Sequence, residues 1–397
     1  MKSPFKYSDV FASSGPSQVG IRPKAKYDFG TAYPSPDSIP IEGLSQAFRT
    51  ALLREGRDLA LYPHHQGHPE LRDFVAQKLE RDRGIANITG NNIVIDHGSG
   101  RVNYLLFQLM LNPGDIVLTE DFVYLGTLLQ LDSFKASVVG IPTDADGMIT
   151  TELDKVLEDL SNKSKKPKFI YTIPAYQNPL GMNLSTERRK DMLQISEKYG
   201  VPILEDECYA DLQIEGKVPR ALRSIDESGR TIYVGSFSKI IGPGARLGYA
   251  VLPEDVMGRY LGARQDGGPN QLASLAILEY SKTHLEDHIN TVNEELRTKR
   301  DAMLSALGEN FPPSCHWSKP DGGLYIWLEL PLTADAATLQ NKSAEEEDIR
   351  YLSGNLFSTS GQGRNCLRLC YGYNTHSEIT EGIGLLARFF DKEGILQ

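Results

Sequence analysis

Several things are scarce in this sequence. Cysteine is one: Cys208, Cys315, Cys366 and Cys370 are too few and too scattered for a disulfide framework, and none forms a C-x-x-C metal pair. Free thiols in a reducing cytosol are expected. Long apolar runs are another: no stretch approaches the roughly 20 residues that a membrane-spanning helix needs. The opening MKSPFKYSDVF also lacks the apolar core of a secretion signal. The chain therefore reads as soluble and cytoplasmic, without a membrane partner. Positive charge is short too, with 42 Lys and Arg against 52 Asp and Glu and a formal net charge of -10, which argues against nucleic acid as a partner. Any phosphate bound here must sit in a local pocket, and 36 glycines leave room for one. No repeat or low-complexity tract is present, and no metal-ligand cluster stands out. The short charge runs KSKKPK at 163–168 and AEEED at 344–348 read as solvated helix ends or loops.

What is present is an ordinary globular composition, 40% apolar and 24% charged. The 397 residues, at roughly 150 per domain, predict two or three units. From about Ser45 to Leu252, short β-branched runs bounded by Gly, Pro or Asp alternate with helical periodicity. The runs Ile93–Ile95, Ile116–Leu118, Val138–Ile141, Phe169–Ile173, Val201–Leu204, Thr231–Val234 and Leu247–Leu252 read as buried strands. Leu71–Arg83, Val102–Met110 and Ser185–Tyr199 read as helices, the last capped by Ser185 and stopped by Gly200. Such alternation predicts an α/β fold with a mainly parallel sheet between helices. Past about Leu285 the pattern changes to a long helix, a segment Gly323–Leu330, a strand Cys366–Cys370 and a terminal helix Ser377–Phe390, a smaller α+β unit. The expected division is 1–44 as an N-terminal arm and part of the small domain, 45–284 as the large domain and 285–397 as the small domain.

Chemistry concentrates at a few strand ends. The segment G-S-F-S-K at 235–239 ends a strand on Lys239, whose amine can form an imine with an aldehyde cofactor while the hydroxyls of Ser236 and Ser238 bind an anion nearby. A plain surface lysine has the same local sequence. Arg246 follows among glycines that let backbone approach a ligand, and its guanidinium suits phosphate. Asp206, at the end of V-P-I-L-E-D, points into the crevice where α/β sheets bind ligands. Facing a pyridine nitrogen, its carboxylate keeps that nitrogen protonated, and Tyr209 can reach the same ring's phenolic oxygen. Glu205 and Asp206 serve equally well as a helix cap. Asn178, in N-P-L-G, is ordinary turn chemistry or a donor to a phenolate. Gly98, Ser99 and Gly100 before a helix make either a phosphate cradle or a simple capping turn. Tyr124 can lie on a cofactor ring or pack in the core.

In order and separation, N-P-L-G at 178–181, D-E-C-Y at 206–209, S-F-S-K at 236–239 and G-A-R-L-G at 244–248 resemble the class I/II aminotransferases, pyridoxal 5'-phosphate enzymes of fold type I. Y-P-H-H-Q-G at 62–67, N-P-G-D at 112–115, D-G-G-L-Y-I-W-L-E-L-P at 321–331 and C-L-R-L at 366–369 extend the match over nearly the whole chain. The opening D-F-G-T-A-Y-P resembles most the branch of 2-aminoadipate and broad-specificity aminotransferases.

The resemblance implies a mainly parallel seven-stranded sheet and an amino transfer between an α-amino acid and a 2-oxo acid by a ping-pong route. Lys239 would hold the cofactor as an internal aldimine and move the substrate proton. Asp206 would pair with the pyridine nitrogen, Asn178 and Tyr209 with the phenolic oxygen, and Tyr124 with the ring face. Ser99, Gly100, Ser236, Ser238 and Arg246 would grip the phosphate, joined by Tyr62 of a second subunit in a homodimer. Arg368 would bind the substrate α-carboxylate, with Asn178 beside it.

The chain departs from the family pattern in places. Arg101 adds a cation near the phosphate, Asn270 stands where a Ser or Thr commonly crosses the dimer, and Ser353-Gly354 replaces a usual Pro-Gly. Arg22, in the N-terminal arm, is either a contact for a distal substrate carboxylate or a surface residue. A lyase, cyclase or decarboxylase on the same scaffold is the alternative reading, to which the imidazoles of His64, His65 and His68 would lend acid/base groups. A non-catalytic sensor domain is the third; such regulators carry an added DNA-binding region, and only a short segment precedes Asp28.

Overall fold

The computed structural model describes residues 25–396 together with Lys6, Val10 and Phe11. Each of the seven apolar runs forms a strand of one sheet: β1 Ile93–Asp96, β2 Ile116–Glu120, β3 Ser137–Ile141, β4 Phe169–Thr172, β5 Ile203–Asp206, β6 Thr231–Ser236 and β7 Gly248–Val251. Their spatial order is β1-β7-β6-β5-β4-β2-β3. All pairs are parallel except those of β7, which runs antiparallel to β1 and to β6. The middle strands are buried at every residue, which is why they read as continuous apolar runs rather than as alternation.

Helices α1 Ile41–Glu55, α2 Pro69–Arg83, α3 Ser99–Met110, α4 Leu125–Ser133, α5 Thr150–Asn162, α6 Thr186–Tyr199 and α7 Glu254–Ala263 accompany the sheet. The end signals of α6 behave as their chemistry requires. Ser185 Oγ accepts from the amide of Arg188, and Gly200 closes the helix in the left-handed conformation that a side chain would resist. α3 buries Val102, Leu105, Leu106 and Phe107. Phe107 stacks on Phe169 of β4 with ring centroids 5.4 Å apart, fixing the helix against the sheet.

Helix α8, Gln271–Asn310, is 40 residues long. The sequence reading begins a long helix near Leu285 and sets a domain boundary at 284/285, which falls inside this unbroken helix. No Gly or Pro interrupts 271–307, so the backbone has no reason to stop there. Beyond it lie β8 His316–Trp317, β9 Tyr325–Glu329, β10 Leu352–Ser353 and β11 Cys366–Cys370, an antiparallel sheet in the order β8-β9-β11-β10. Helices α9 Ala336–Glu346 and α10 His376–Lys392 complete this part, and a two-residue strand Tyr27–Asp28 pairs with Ile349–Arg350. The N-terminal segment is thereby tied to the C-terminal one. Among the described residues no helix is long and apolar enough to cross a membrane.

Register decides where chemistry meets. Gly248, the first residue of β7, pairs with Asp96 on one side and Ser236 on the other, so the turns after β1 and β6 lie side by side. In the small sheet Trp327 pairs with Arg368 and Tyr325 with Cys370, placing Tyr325, Trp327 and Arg368 on one face.

Candidate active site

A cavity opens where these strand ends meet the start of α3. Its wall includes Ser99, Gly100, Asn103, Tyr124, Asp206, Cys208, Tyr209, Ser236, Ser238, Lys239 and Arg246. Backbone geometry brings the anion-binding end together. A Cβ on Gly248 would lie 2.4 Å from the amide nitrogen of Ser99, so only glycine lets β7 pass this close to the helix start. Gly98 has φ +83, and a side chain there would press on the guanidinium of Arg246. Arg246 donates from Nη2 to the His97 carbonyl at 2.9 Å. A helix N-terminus with free amides, two serines and a guanidinium thus share one end of the cavity. Ser236 Oγ accepts from the amide of Ser238 at 3.1 Å, which fixes the turn leading to Lys239.

Lys239 is half-buried, and its Nζ donates to the carbonyl of Ala32 at 2.8 Å. Burial holds its amine below the usual lysine range. A neutral amine is the form that attacks a carbonyl and takes up a proton. Asp206 sits at the end of β5 with Oδ2 accepting from Asn103 Nδ2 at 2.8 Å and from the Tyr171 hydroxyl at 2.7 Å. Tyr209 is buried, its hydroxyl 2.9 Å from that of Tyr325 and 3.0 Å from Nδ2 of Asn178, and burial raises it well above the ordinary tyrosine range. Tyr124 is 42% exposed over the mouth, with its ring against Gly126, where a Cβ would lie 2.6 Å from it.

Arg368 is only 2% exposed. It donates from Nη1 to Asn178 Oδ1 at 3.2 Å and from Nη2 to the Gly30 carbonyl at 2.5 Å, and it lies over the rings of Tyr325 and Phe357. Nε has no partner and no carboxylate pairs with the guanidinium among the described residues. A buried cation without a counter-ion has the charge and donors to suit a carboxylate. Unpartnered acceptors complete the picture: Asn103 Oδ1 and Gln130 Oε1 are buried in residues of the cavity wall. An amine, a carboxylate, an anion cradle and orphaned polar atoms in one crevice fit a phosphorylated aldehyde ring, and Lys239, Asp206 and Arg246 all line that crevice.

The chain matches the family Aminotransferase class I and II over residues 32–386. It belongs to that family. This aminotransferase is 32% identical to aromatic-amino-acid aminotransferase 1 of Thermococcus litoralis over 363 residues, 91% of this chain and 87% of the relative. It is 30% identical to the 2-aminoadipate transaminase of Thermus thermophilus over 366 residues, 91% of this chain and 89% of the other. The crystal structure of a multiple substrate aminotransferase from Thermococcus profundus superposes with a TM-score of 0.92 at 27% identity, covering 98% of this chain and 99% of that one. The protein is a fold type I transaminase that depends on pyridoxal 5'-phosphate.

Not every residue singled out in the sequence of this aminotransferase lies in the cavity. Arg101 turns away toward Asp266, 3.7 Å distant, and lies over the ring of Tyr104. Tyr62 is 89% exposed and absent from the wall of its own chain's cavity. Asn270 caps α8, its Oδ1 accepting from the amide of Ala273. Of the three histidines, His68 pairs with Glu55 at 2.8 Å and His64 Nδ1 accepts from the amide of Gln66, and none lines the cavity. Arg22 lies outside the described residues.

Sequence reading missed Asn103, Thr127, Tyr171, Cys208 and Tyr325, and the carbonyls of Gly30 and Ala32. Two of these left a signal. Asn103 falls four residues after Ser99, on the same helix face, and Tyr171 is a polar residue within a buried run. The carbonyls left none, because any residue carries one.

Proposed function

We propose that Lys239 carries the cofactor and moves the proton at the substrate's Cα, with Arg368 holding the substrate α-carboxylate. The observation that carries this reading is the pairing of a lysine whose amine is kept low with a buried guanidinium that has no carboxylate partner among the described residues. Bound pyridoxal phosphate supplies an electron sink that makes the Cα proton of an attached amino acid acidic. Asp206 would pair with the ring nitrogen, and Tyr209 and Asn178 would bond the phenolic oxygen. Ser99, Gly100, Ser236, Ser238 and Arg246 would hold the phosphate, and Tyr124 would cover the ring. Arg368 orients the substrate through its fork so that the Cα hydrogen meets Nζ of Lys239, a general base freed for that proton.

Arg368 lies over the ring of Phe357, which packs in an apolar cluster with Phe122, Trp327 and Leu180. That favours amino acids with sizeable apolar or aromatic side chains, in keeping with the aromatic-amino-acid relative. The exposed Tyr62 supports a homodimer in which it completes the partner's phosphate site. The four free cysteines support a cytoplasmic location.

Mixing the holoenzyme with a panel of amino acids tests the reading. The expected result is conversion of the visible cofactor absorption to that of the amine form, fastest with aromatic and long apolar substrates. Lys239→Ala should lower that rate by about 10²–10⁴-fold. Arg368→Lys should raise KM steeply because an ammonium cannot reproduce the two-pronged contact. An unchanged rate in Lys239→Ala overturns the assignment.

A further inference from the structure

Asp206 is held on both carboxylate oxygens. Oδ2 receives two donors, Asn103 Nδ2 at 2.8 Å and the Tyr171 hydroxyl at 2.7 Å, and Tyr171 accepts in turn from Thr127 Oγ1 at 3.0 Å. On the other oxygen, Cys208 Sγ lies 2.8 Å from Oδ1 and also 3.0 Å from Ser99 Oγ. An ionised carboxylate only accepts, and a thiol has one proton. The S–H therefore points at Oδ1, and the Ser99 hydroxyl donates to sulfur. Burial and the adjacent carboxylate push the Cys208 thiol far above its ordinary range, so the proton stays on sulfur.

A carboxylate offers about four acceptor positions. Two on Oδ2 and one on Oδ1 are filled, which leaves one open position, on Oδ1. Asn103, bonded to the same carboxylate through Nδ2, has in Oδ1 a second acceptor without a partner, in a side chain 4% exposed that also lines the cavity. Open acceptors gathered here mark where an N–H donor arrives.

We propose that Cys208 is a positioning residue for the cofactor: its thiol fixes Oδ1 of Asp206 so that the one open acceptor position meets the ring nitrogen. Through Ser99 it also ties the ring end of the cavity to the phosphate end. The Ser99 hydroxyl can turn to a stronger acceptor without disturbing the S–H bond, because sulfur accepts only weakly. The inference rests on the reading of Asp206 as the partner of the ring nitrogen.

The test is the cofactor dissociation constant, measured by absorbance as holoenzyme is diluted, alongside the melting temperature of each cofactor-free variant. Cys208→Ala is expected to weaken binding about three- to tenfold with unchanged melting, whereas Cys208→Ser, which keeps a donor, stays within about twofold. In an Asp206→Ala background, Cys208→Ala should add less than about twofold, since its acceptor is gone. Equal losses with and without Asp206, no loss in Cys208→Ala, or a Cys208→Ser as weak as Cys208→Ala overturns the proposal. If Cys208→Ala does not fold, Cys208→Val fills the space without a donor and carries the same comparison. If Asp206→Ala binds cofactor normally, the reading of Asp206 falls as well. A strong Asp206→Ala effect beside a silent Cys208→Ala overturns this inference alone.

Discussion

Asn178 and Arg368 are joined directly, the arginine Nη1 donating to the asparagine Oδ1 at 3.2 Å. The other end of the same amide donates to the hydroxyls of Tyr209 and Tyr325. One buried side chain thus links the wall of the cofactor cavity to the buried guanidinium. Asn178→Ala should therefore impair two measurable things at once. The KM for amino acids is expected to rise about tenfold as Arg368 loses a fixed partner, and, on the proposed role of Asn178 as a donor to the phenolic oxygen, the absorption of bound cofactor should change. Steady-state kinetics and a spectrum of the purified variant check both. A variant altered in only one of the two shows that the link does not transmit.

Lys239 gives a stability prediction with a definite direction. Burial holds its amine below the ordinary value of 10.5, so the cofactor-free native state binds that proton less tightly than the unfolded chain does. Below the native value both states carry the charge, and the full cost of burying it is present. As pH rises toward 10.5 the cost disappears. Replacing the lysine by an apolar side chain removes it at every pH. Cofactor-free Lys239→Met should therefore melt higher than the cofactor-free parent near neutral pH, and the gap should close as pH approaches 10. Parallel melting curves across that range decide the matter, and a gap that widens with pH contradicts the assignment.

The sheet was legible because its middle strands are buried on both faces and carry an uninterrupted apolar signal. The short strands His316–Trp317 and Leu352–Ser353 carry too few residues to show a period, and they form only because β9 and β11 offer edges to pair with. In the site, Lys239 and Asp206, with distinctive chemistry at the ends of apolar runs, were readable from their own residues, whereas Arg368, in the middle of β11, came only with the family resemblance. Asn103, Tyr171 and Cys208 were not, since an amide, a phenol and a thiol have no address until register sets them around Asp206. Main-chain contacts such as Ala32 to Lys239 are independent of side-chain identity and cannot be read from a sequence at all.

On the reverse side of the strand bearing Asp206, Arg83 and Glu207 form a two-pronged pair, both contacts at 2.7 Å and both side chains almost wholly buried. Arg189 approaches the same glutamate at 3.2 Å. Arg83→Leu leaves that carboxylate buried with one partner instead of two, and the cost of a broken buried pair is about 3–5 kcal/mol. Urea unfolding should show a midpoint lowered accordingly with an unchanged slope. Because Arg83 comes from α2 and Glu207 follows β5 directly, the loss should also loosen the helix-to-sheet contact behind Asp206. Cofactor binding is then expected to weaken less than stability does, and a variant as stable as the parent contradicts the view that this pair is under strain without both partners.

Tyr62 provides the sharpest test of shared active sites. In its own chain it lies beside Gly267, highly exposed and outside the cavity, so its hydroxyl has no assigned work within the protomer. If it serves the partner's phosphate site, two inactive variants can restore each other. Lys239→Ala protomers keep Tyr62, and Tyr62→Phe protomers keep Lys239. In a mixed dimer, one site carries both defects while the other carries neither. Random mixing of equal amounts makes about half of the dimers mixed, each with one intact site, so activity should return to about a quarter of the parent value. If Tyr62 acts within its own chain, or if the chains do not pair, every site keeps one defect and mixing yields only the average of the two variants. Measuring turnover after unfolding and refolding the variants together, against the same variants refolded apart, separates the two cases.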